Sequence, residues 1–332
     1  MRIVFAGSGT FGLPTLRALV EGGQEIVLVV TQPDRPAGRG RTVHAGQVKR
    51  FAAEQGIRLL QPEDINARGA VRSIRAVEPD LLLVIAFGQK IGPSLIGAPR
   101  YGAVNLHASL LPKYRGAAPI NWAVIRGEAE TGLTVIEITD RMDAGDILGQ
   151  RATPIGPDET AGELHDRLAQ LGARLVTEIV RELALDEVGR RHQNEAQVKI
   201  APRLKKTDGL VDWNQPAQVV HNRVRGTTPW PGAYTYWRRK AGRESLRLVL
   251  AKTKVIEGAA SVPARRDCAG GAGPGVVLAA GREGVDVAAA RGAVRILSLT
   301  PAGKRTMSAA DFVNGYAIEP GARFASAREG AS

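Results

Sequence analysis

Cysteine is almost absent from this sequence: Cys268 is the single one in 332 residues. That excludes an intrachain disulfide and a multi-cysteine metal site, and it is what a reducing compartment favours. Long apolar runs are missing as well, with no stretch of about 18 or more apolar residues of the kind a membrane-spanning helix needs. No signal-peptide pattern precedes the first strand-like run, so the expectation is a cytoplasmic protein. Histidine is sparse. None of the five lies at an H-x-x-x-H spacing and no carboxylate cluster completes a ligand set, so no metal is expected.

What is abundant is positive charge. The net charge is +12 at a pI of about 10.2. Twelve of the bases, among them Lys205, Lys206, Arg223, Arg225 and Arg247, fall between Arg203 and Lys254 against three acids, so this one stretch carries +9 of the total. Trp213, Trp230, Tyr234, Tyr236 and Trp237 are interleaved with them. A mild excess would read as a solvated face; at this density a polyanionic partner is expected.

The length suggests two domains, each able to bury its own core. Up to about residue 185, apolar runs such as RIVFAG, EIVLVV, DLLLVIAFG and GAVNLH alternate with amphipathic stretches. Strands without polar alternation are buried on both faces, which predicts a doubly wound, mostly parallel sheet in an α/β domain over 1–185. TAGELHDRLAQLGARLVTEIVREL places Leu164, Leu168, Leu171, Leu175 and Ile179 on one helical face and closes that domain. The polar segment 186–206 reads as a linker. Short alternating strands separated by glycine-rich turns then predict a small β-barrel over 207–320, with 321–332 as a tail.

GSGTFG, from Gly7 to Gly12, spells G-x-G-x-x-G between a strand and a helix. A dinucleotide site also needs an acid at the end of the second strand for the ribose hydroxyl. Here EIVLVV runs into Thr31 and Gln32, and the first acid, Asp34, follows Pro33 in a loop. An NADP variant could use Arg35, Arg39 or Arg41. The alternative is structural: the glycines make a tight βα turn and leave an anion-receptive helix N-terminus.

Asn105 and His107 lie two apart at the end of a strand, so their side chains share a face at the carboxyl edge where open α/β sheets bind ligands. Asp143 follows the strand LTVIEI in the loop DRMDAGD. An amide to meet an oxyanion, an imidazole to move protons and a carboxylate to orient it suffice for acyl transfer without a covalent intermediate. Taken alone, a histidine in a strand is more often a packed core residue than a catalyst. His165, His192 and His221 read as surface or packing residues, His44 lies beside the loop arginines, and Cys268 has no neighbouring base in sequence.

NLHASLLPKYRGAAP followed by MDAGDIL resembles the signature of the folate-dependent formyltransferases, and TQPDRPAGRG resembles the branch that acts on methionyl-tRNA. The likeness continues through APRLKKTDGLVDW, PWPGAY and LTPAGKRTMSAADFVNG. It implies a Rossmann-like catalytic domain without nicotinamide, followed by an OB-like barrel. It implies transfer of a formyl group from 10-formyltetrahydrofolate, a co-substrate rather than a tightly bound cofactor, to the α-amino group of initiator methionyl-tRNA, by a monomer.

By this resemblance Asn105 hydrogen-bonds the formyl oxygen, His107 transfers protons and Asp143 holds His107. Ser109, Leu110, Leu111 and Pro112, with Phe87 and Gly88, border the folate. The loop DRPAGRGR, with Arg35, Arg39 and Arg41, enters the tRNA acceptor end, and Lys205, Lys206 and Arg223 meet tRNA phosphates. The chain departs from the family pattern at Gly7 to Gly12 and at Phe87, where relatives carry GTPxFA and a tyrosine. A formyltransferase for glycinamide ribonucleotide or a sugar nucleotide would share Asn105, His107 and Asp143 but would need neither the arginine loop nor the basic domain.

Overall fold

The computed structural model describes residues 1–37, 42–43, 45–238, 245–256 and 273–326. The chain packs as two compact units. One comprises Met1–Pro119, Glu130–Pro154 and Leu164–Pro202; the other comprises Ile120–Ala129, Ile155–Glu163 and Arg203–Ser332.

In the first unit the strands are β1 (Arg2–Ala6), β2 (Glu25–Val30), the short pair β3 (Pro36–Ala37) and β4 (Thr42–Val43), β5 (Leu59–Leu60), β6 (Leu81–Val84), β7 (Ala103–His107), β8 (Arg115–Gly116), β9 (Glu130–Glu137), β10 (Ile147–Pro154) and β11 (Ile200–Ala201). The helices are α1 (Leu13–Glu21), α2 (Gln47–Glu54), α3 (Arg68–Arg75), α4 (Pro93–Ile96) and most of α6 (Ala161–Ala184), whereas α5 (Pro119–Ile125) belongs to the second unit from Ile120 onward. α5 and α6 run from one unit into the other along the chain.

The main sheet has the order β10-β9-β7-β6-β1-β2-β5. β5, β2, β1, β6 and β7 are parallel, while β9 and β10 add an antiparallel edge. All four residues of LLLV in β6 are buried, as the absence of alternation requires of a strand covered on both faces. Val4, Ala6, Leu82 and Val84 pack with Ile74 and Leu95 of α3 and α4 on one face. Leu106 packs against Gly172 of α6, where an added Cβ would come within 2.6 Å of its Cδ2. Asn105 and His107 therefore take the opposite face of β7. Burying each such leucine, isoleucine or valine contributes roughly 1.5–3 kcal/mol, and this is what fixes the register.

The segment 186–206, expected as a linker, is bound to this unit along much of its length. Arg191 bridges to Ile147, and β11 pairs in parallel with β8.

In the second unit, α7 (Ala217–Gly226) precedes β12 (Ala233–Arg238), β13 (Leu246–Ile256), β14 (Val277–Gly281), β15 (Gly284–Ala288), β16 (Ala293–Pro301), β17 (Met307–Ser308), α8 (Ala309–Tyr316) and β18 (Arg323–Ala325). The antiparallel order is β14-β15-β16-β13-β12-β18, with β17 on β16. The edges meet: the Val277 N–H donates to the Ala322 carbonyl at 2.8 Å and the Phe324 N–H to the Gly275 carbonyl at 2.7 Å, so the sheet curls back on itself as a small barrel. Leu248, Leu250, Ile296, Leu299, Phe312 and Phe324 fill its core. β18 lies in the stretch expected as a tail.

Candidate active site

The glycines of GSGTFG are set by packing. A Cβ on Gly7 would lie 2.7 Å from the Ile85 carbonyl oxygen and from Phe5 Cε1, and one on Gly12 would lie 2.9 Å from Phe5 Cζ. The turn thus lets β1 and α1 approach the end of β6. At the end of β2, Gln32 donates its backbone N–H to Ser8 Oγ (2.7 Å) and its side-chain amide to the Phe87 carbonyl (3.1 Å). Asp34 is bound to Lys49 and Gln61, and the Lys49 hydrogen bond holds its carboxyl below the usual range. Neither residue presents the free acid a dinucleotide ribose needs.

At the end of β7 the His107 ring is buried. Its Nε2 lies 2.9 Å from the Tyr114 carbonyl oxygen, which can only accept, so Nε2 carries the proton. Nδ1 faces Asp143 Oδ2 at 3.7 Å, beyond hydrogen-bond length. Asp143 is shaped by the turn of its own loop and held by groups outside it. Its backbone has φ +51°, its Oδ2 accepts the Gly116 N–H at 2.8 Å, and a Cβ on Gly145 would stand 1.9 Å from the Glu137 carbonyl oxygen.

Two residues before His107, on the same face and about 6.6 Å away along the strand, Asn105 is half-buried and its side chain has no hydrogen-bond partner among the described residues. The site thus holds a fixed imidazole, a fixed carboxylate and an amide free to bind something else. Among the described residues no group of three histidine, cysteine, aspartate or glutamate side chains could hold a metal ion.

The SLLP segment is pinned from below. Ser109 is fully buried and donates its hydroxyl to the Lys113 carbonyl at 2.6 Å. Thr134 Oγ1 donates to the Ser109 carbonyl and accepts the Leu111 N–H, and Gln150 donates to the Leu111 carbonyl. Leu111 packs with Ile136 and Ile147, and Phe87 is in the main core; Leu110 and Pro112 are half-buried, and Gly88 is exposed at φ +84°. The structure brings these six to the strand ends, with Ser109, Leu111 and Phe87 turned inward.

The sequence pointed to neither Arg115 nor Gln193. Arg115 is buried and donates through Nε and Nη2 to Gln193 Oε1, whose amide in turn donates to the Asp143 and Gly145 carbonyls. A polar segment such as GRRHQNEAQ reads identically as linker or as strap, so nothing in one sequence singles out Gln193.

Residues 1–180 match the family described as "Formyl transferase" and residues 203–317 the one described as "Formyl transferase, C-terminal domain". The methionyl-tRNA formyltransferase of Citrifermentans bemidjiense is 45% identical over 97% of this chain and 95% of its own length; that of Geobacter metallireducens is 45% identical over 97% and 98%. The chain belongs to the methionyl-tRNA formyltransferase family. Solved structures with the same fold include HypX from Aquifex aeolicus in complex with tetrahydrofolic acid, at TM-score 0.60 and 19% identity over 95% of this chain and 47% of that one. The sugar 3N-formyl transferase WlaRD gives TM-score 0.62 at 14% identity, covering 92% and 99%.

The basic residues separate into exposed and structural ones. Arg35, Lys205 and Lys206 are exposed, Arg35 lying 3.8 Å from Glu63. Arg39, Arg41, His44 and Cys268 lie outside the described residues. Arg223 is half-buried and donates to the Asp208 carbonyl at 3.0 Å. Arg225, counted above with the polyanion-facing bases, is buried and donates to the Gly156 and Glu159 carbonyls, so it serves the second unit's interior.

The aromatic interleaving also has a different reason from the one expected. Trp213 and Trp237 sit in the barrel core. Trp237 points inward because on a strand with one buried face every second side chain does so whatever its neighbours' charge, and Trp213, in the turn before α7, is buried with its indole N–H donating to Thr235 Oγ1 at 3.0 Å. Tyr234, with Arg247 stacked 4.2 Å over its ring, and Trp230 remain outside. His165 lies 5.2 Å from the Phe11 ring, His192 pairs with Asp146, and His221 is buried between Thr253 and Pro157.

Proposed function

We propose that the chain transfers the formyl group of 10-formyltetrahydrofolate to the α-amino group of methionyl initiator tRNA, giving N-formylmethionyl-tRNA and tetrahydrofolate. The observation that carries this reading is the unpartnered Asn105 amide on the same face of β7 as a His107 ring fixed between Tyr114 and Asp143. The amine nitrogen attacks the formyl carbon. Negative charge then develops on the formyl oxygen, where the Asn105 N–H donates to it.

The amine proton passes to His107 Nδ1, the one ring nitrogen with a free lone pair, and Asp143 offsets the resulting positive charge. The intermediate collapses by breaking the bond from the formyl carbon to the folate nitrogen, which takes the proton from His107. Because a free α-amino group titrates at about 7.7–8.0, removing a proton during attack is all the activation it needs. No nucleophilic side chain is required.

Ser109, Leu110, Leu111 and Pro112, with Phe87 and Gly88, border the donor, the inward-turned members through their backbone. Arg35, with Arg39 and Arg41, contacts the acceptor end, and the exposed Lys205 and Lys206 meet phosphates, with Arg223 supporting the turn beside them. The protein works in the cytoplasm as a monomer. No described helix is long and apolar enough to cross a membrane.

The test is a formyl-transfer assay offering methionyl initiator tRNA, uncharged tRNA, free methionine and an aminosugar nucleotide in parallel. Formylation of the charged tRNA alone is expected. Transfer to the sugar nucleotide and not to the tRNA overturns the reading in favour of the small-molecule activity.

A further inference from the structure

Asp143 sits on a loop, and a loop carboxylate held 3.7 Å from an imidazole needs something to keep it there. Its own sequence supplies the turn but not the anchor. The anchor comes from the segment Arg191–Ala201. Arg191 exchanges two backbone hydrogen bonds with Ile147, at 2.9 and 3.0 Å, next to the Asp143 loop. Two residues on, the Gln193 amide donates both of its N–H groups, to the Asp143 carbonyl and to the Gly145 carbonyl, each at 2.8 Å. Its oxygen accepts from Arg115 Nε and Nη2 at 3.0 and 2.8 Å.

The amide orientation follows from its partners, since carbonyls only accept and a guanidinium only donates. Arg115 is tied in turn to Glu195 at 2.9 Å, and the same Arg115 hydrogen bond is the main reason the Glu195 carboxyl lies below its usual range.

The segment then templates the other half of the site. The Arg115 N–H donates to the Lys199 carbonyl and the Ala117 N–H to the Ala201 carbonyl, both at 2.9 Å, and Lys199 Nζ lies 5.7 Å over the Tyr114 ring. Between those contacts lie the Tyr114 carbonyl that fixes His107 and the Gly116 N–H that fixes Asp143. Gln193 joins the loop of the acid to the turn that holds the base. Nothing in the proposed reaction uses this residue directly.

We infer that Gln193, supported by Arg115, is a positioning residue that sets the His107–Asp143 geometry for catalysis. This rests on the proposed roles of His107 and Asp143. A misplacement of about 1 Å in a reacting group costs as much as a hundredfold in rate.

The experiment compares Gln193→Glu, which removes both donors while still accepting from Arg115, with Gln193→Met, which removes every hydrogen bond at similar volume. Each is made in the wild-type protein and in Asp143→Ala, with thermal unfolding recorded for all. Alone, each variant is expected to lower kcat roughly ten- to a hundredfold, with KM for donor and methionyl-tRNA within about threefold of wild type. In the Asp143→Ala background neither is expected to lower kcat further, because a residue acting through Asp143 has nothing left to act on. Wild-type kcat in both Gln193 variants, or the same loss in both backgrounds, overturns the inference while leaving the role of Asp143 intact. Full activity of Asp143→Ala by itself instead removes the reading on which the inference rests.

Discussion

His107 Nε2 donates to the Tyr114 carbonyl 2.9 Å away, which leaves Nδ1, facing Asp143, as the ring nitrogen that can take a proton. Gln in place of His107 can keep an N–H directed at Tyr114 but has no titratable nitrogen. His107→Gln is therefore expected to lower kcat by about 10²–10⁴, the range general acid–base catalysis supplies, while donor affinity stays within a few-fold. Single-turnover kinetics with a parallel binding titration separates the two. A variant with near-wild-type turnover would show that His107 is held there for packing alone.

In the proposed function the exposed Lys205 and Lys206 meet tRNA phosphates, so tRNA binding is expected to weaken with salt. Raising salt from about 50 to about 200 mM is expected to increase KM for methionyl-tRNA at least roughly tenfold and KM for the folate by no more than about twofold. Equal effects on both substrates would count against it.

Acidification is expected to loosen the second unit through His221. Burial, the largest cause, holds this imidazole below its ordinary value of 6.5, with Arg225 acting in the same direction and the Pro157 carbonyl and Asp158 opposing. Thr253 faces its other nitrogen. Because the folded value is depressed, the unfolded chain binds a proton that the folded chain does not, and stability present above about pH 6.5 is lost as pH falls toward the folded value. His221→Gln is expected to lose less stability than wild type between about pH 7.5 and about pH 5.5 by thermal unfolding. Parallel losses in the two proteins would assign the acid sensitivity elsewhere.

Gly7→Ala tests whether the glycine motif serves packing. The new Cβ meets a backbone oxygen at 2.7 Å, so a destabilisation of about 1–3 kcal/mol is expected. Titration of the wild-type protein with a nicotinamide dinucleotide is expected to leave its unfolding temperature unchanged. A clear rise would reopen the cofactor reading.

The parallel sheet was legible because strands like LLLV lack polar alternation, and the pairing of Asn105 with His107 because strand geometry alone puts positions two apart on one face. The burial of Trp237 was not, since charge density hid the inward alternation of YTYWR, whose burial follows every second residue, and Trp213 is buried from a turn, where no periodicity marks an inward position. The strap at Gln193 was invisible for a different reason. Its contacts are to backbone carbonyls of a loop about 50 positions away, and no local pattern encodes a partner that distant.

In the proposed reaction the Asn105 amide meets charge developing on the formyl oxygen. The most direct measurement is the single-turnover rate of Asn105→Ala with saturating donor and methionyl-tRNA. Loss of an oxyanion donor typically costs about 10²–10³ in rate, so a fall of that size with substrate binding preserved is expected. A rate close to that of the wild type would contradict the assignment of the site.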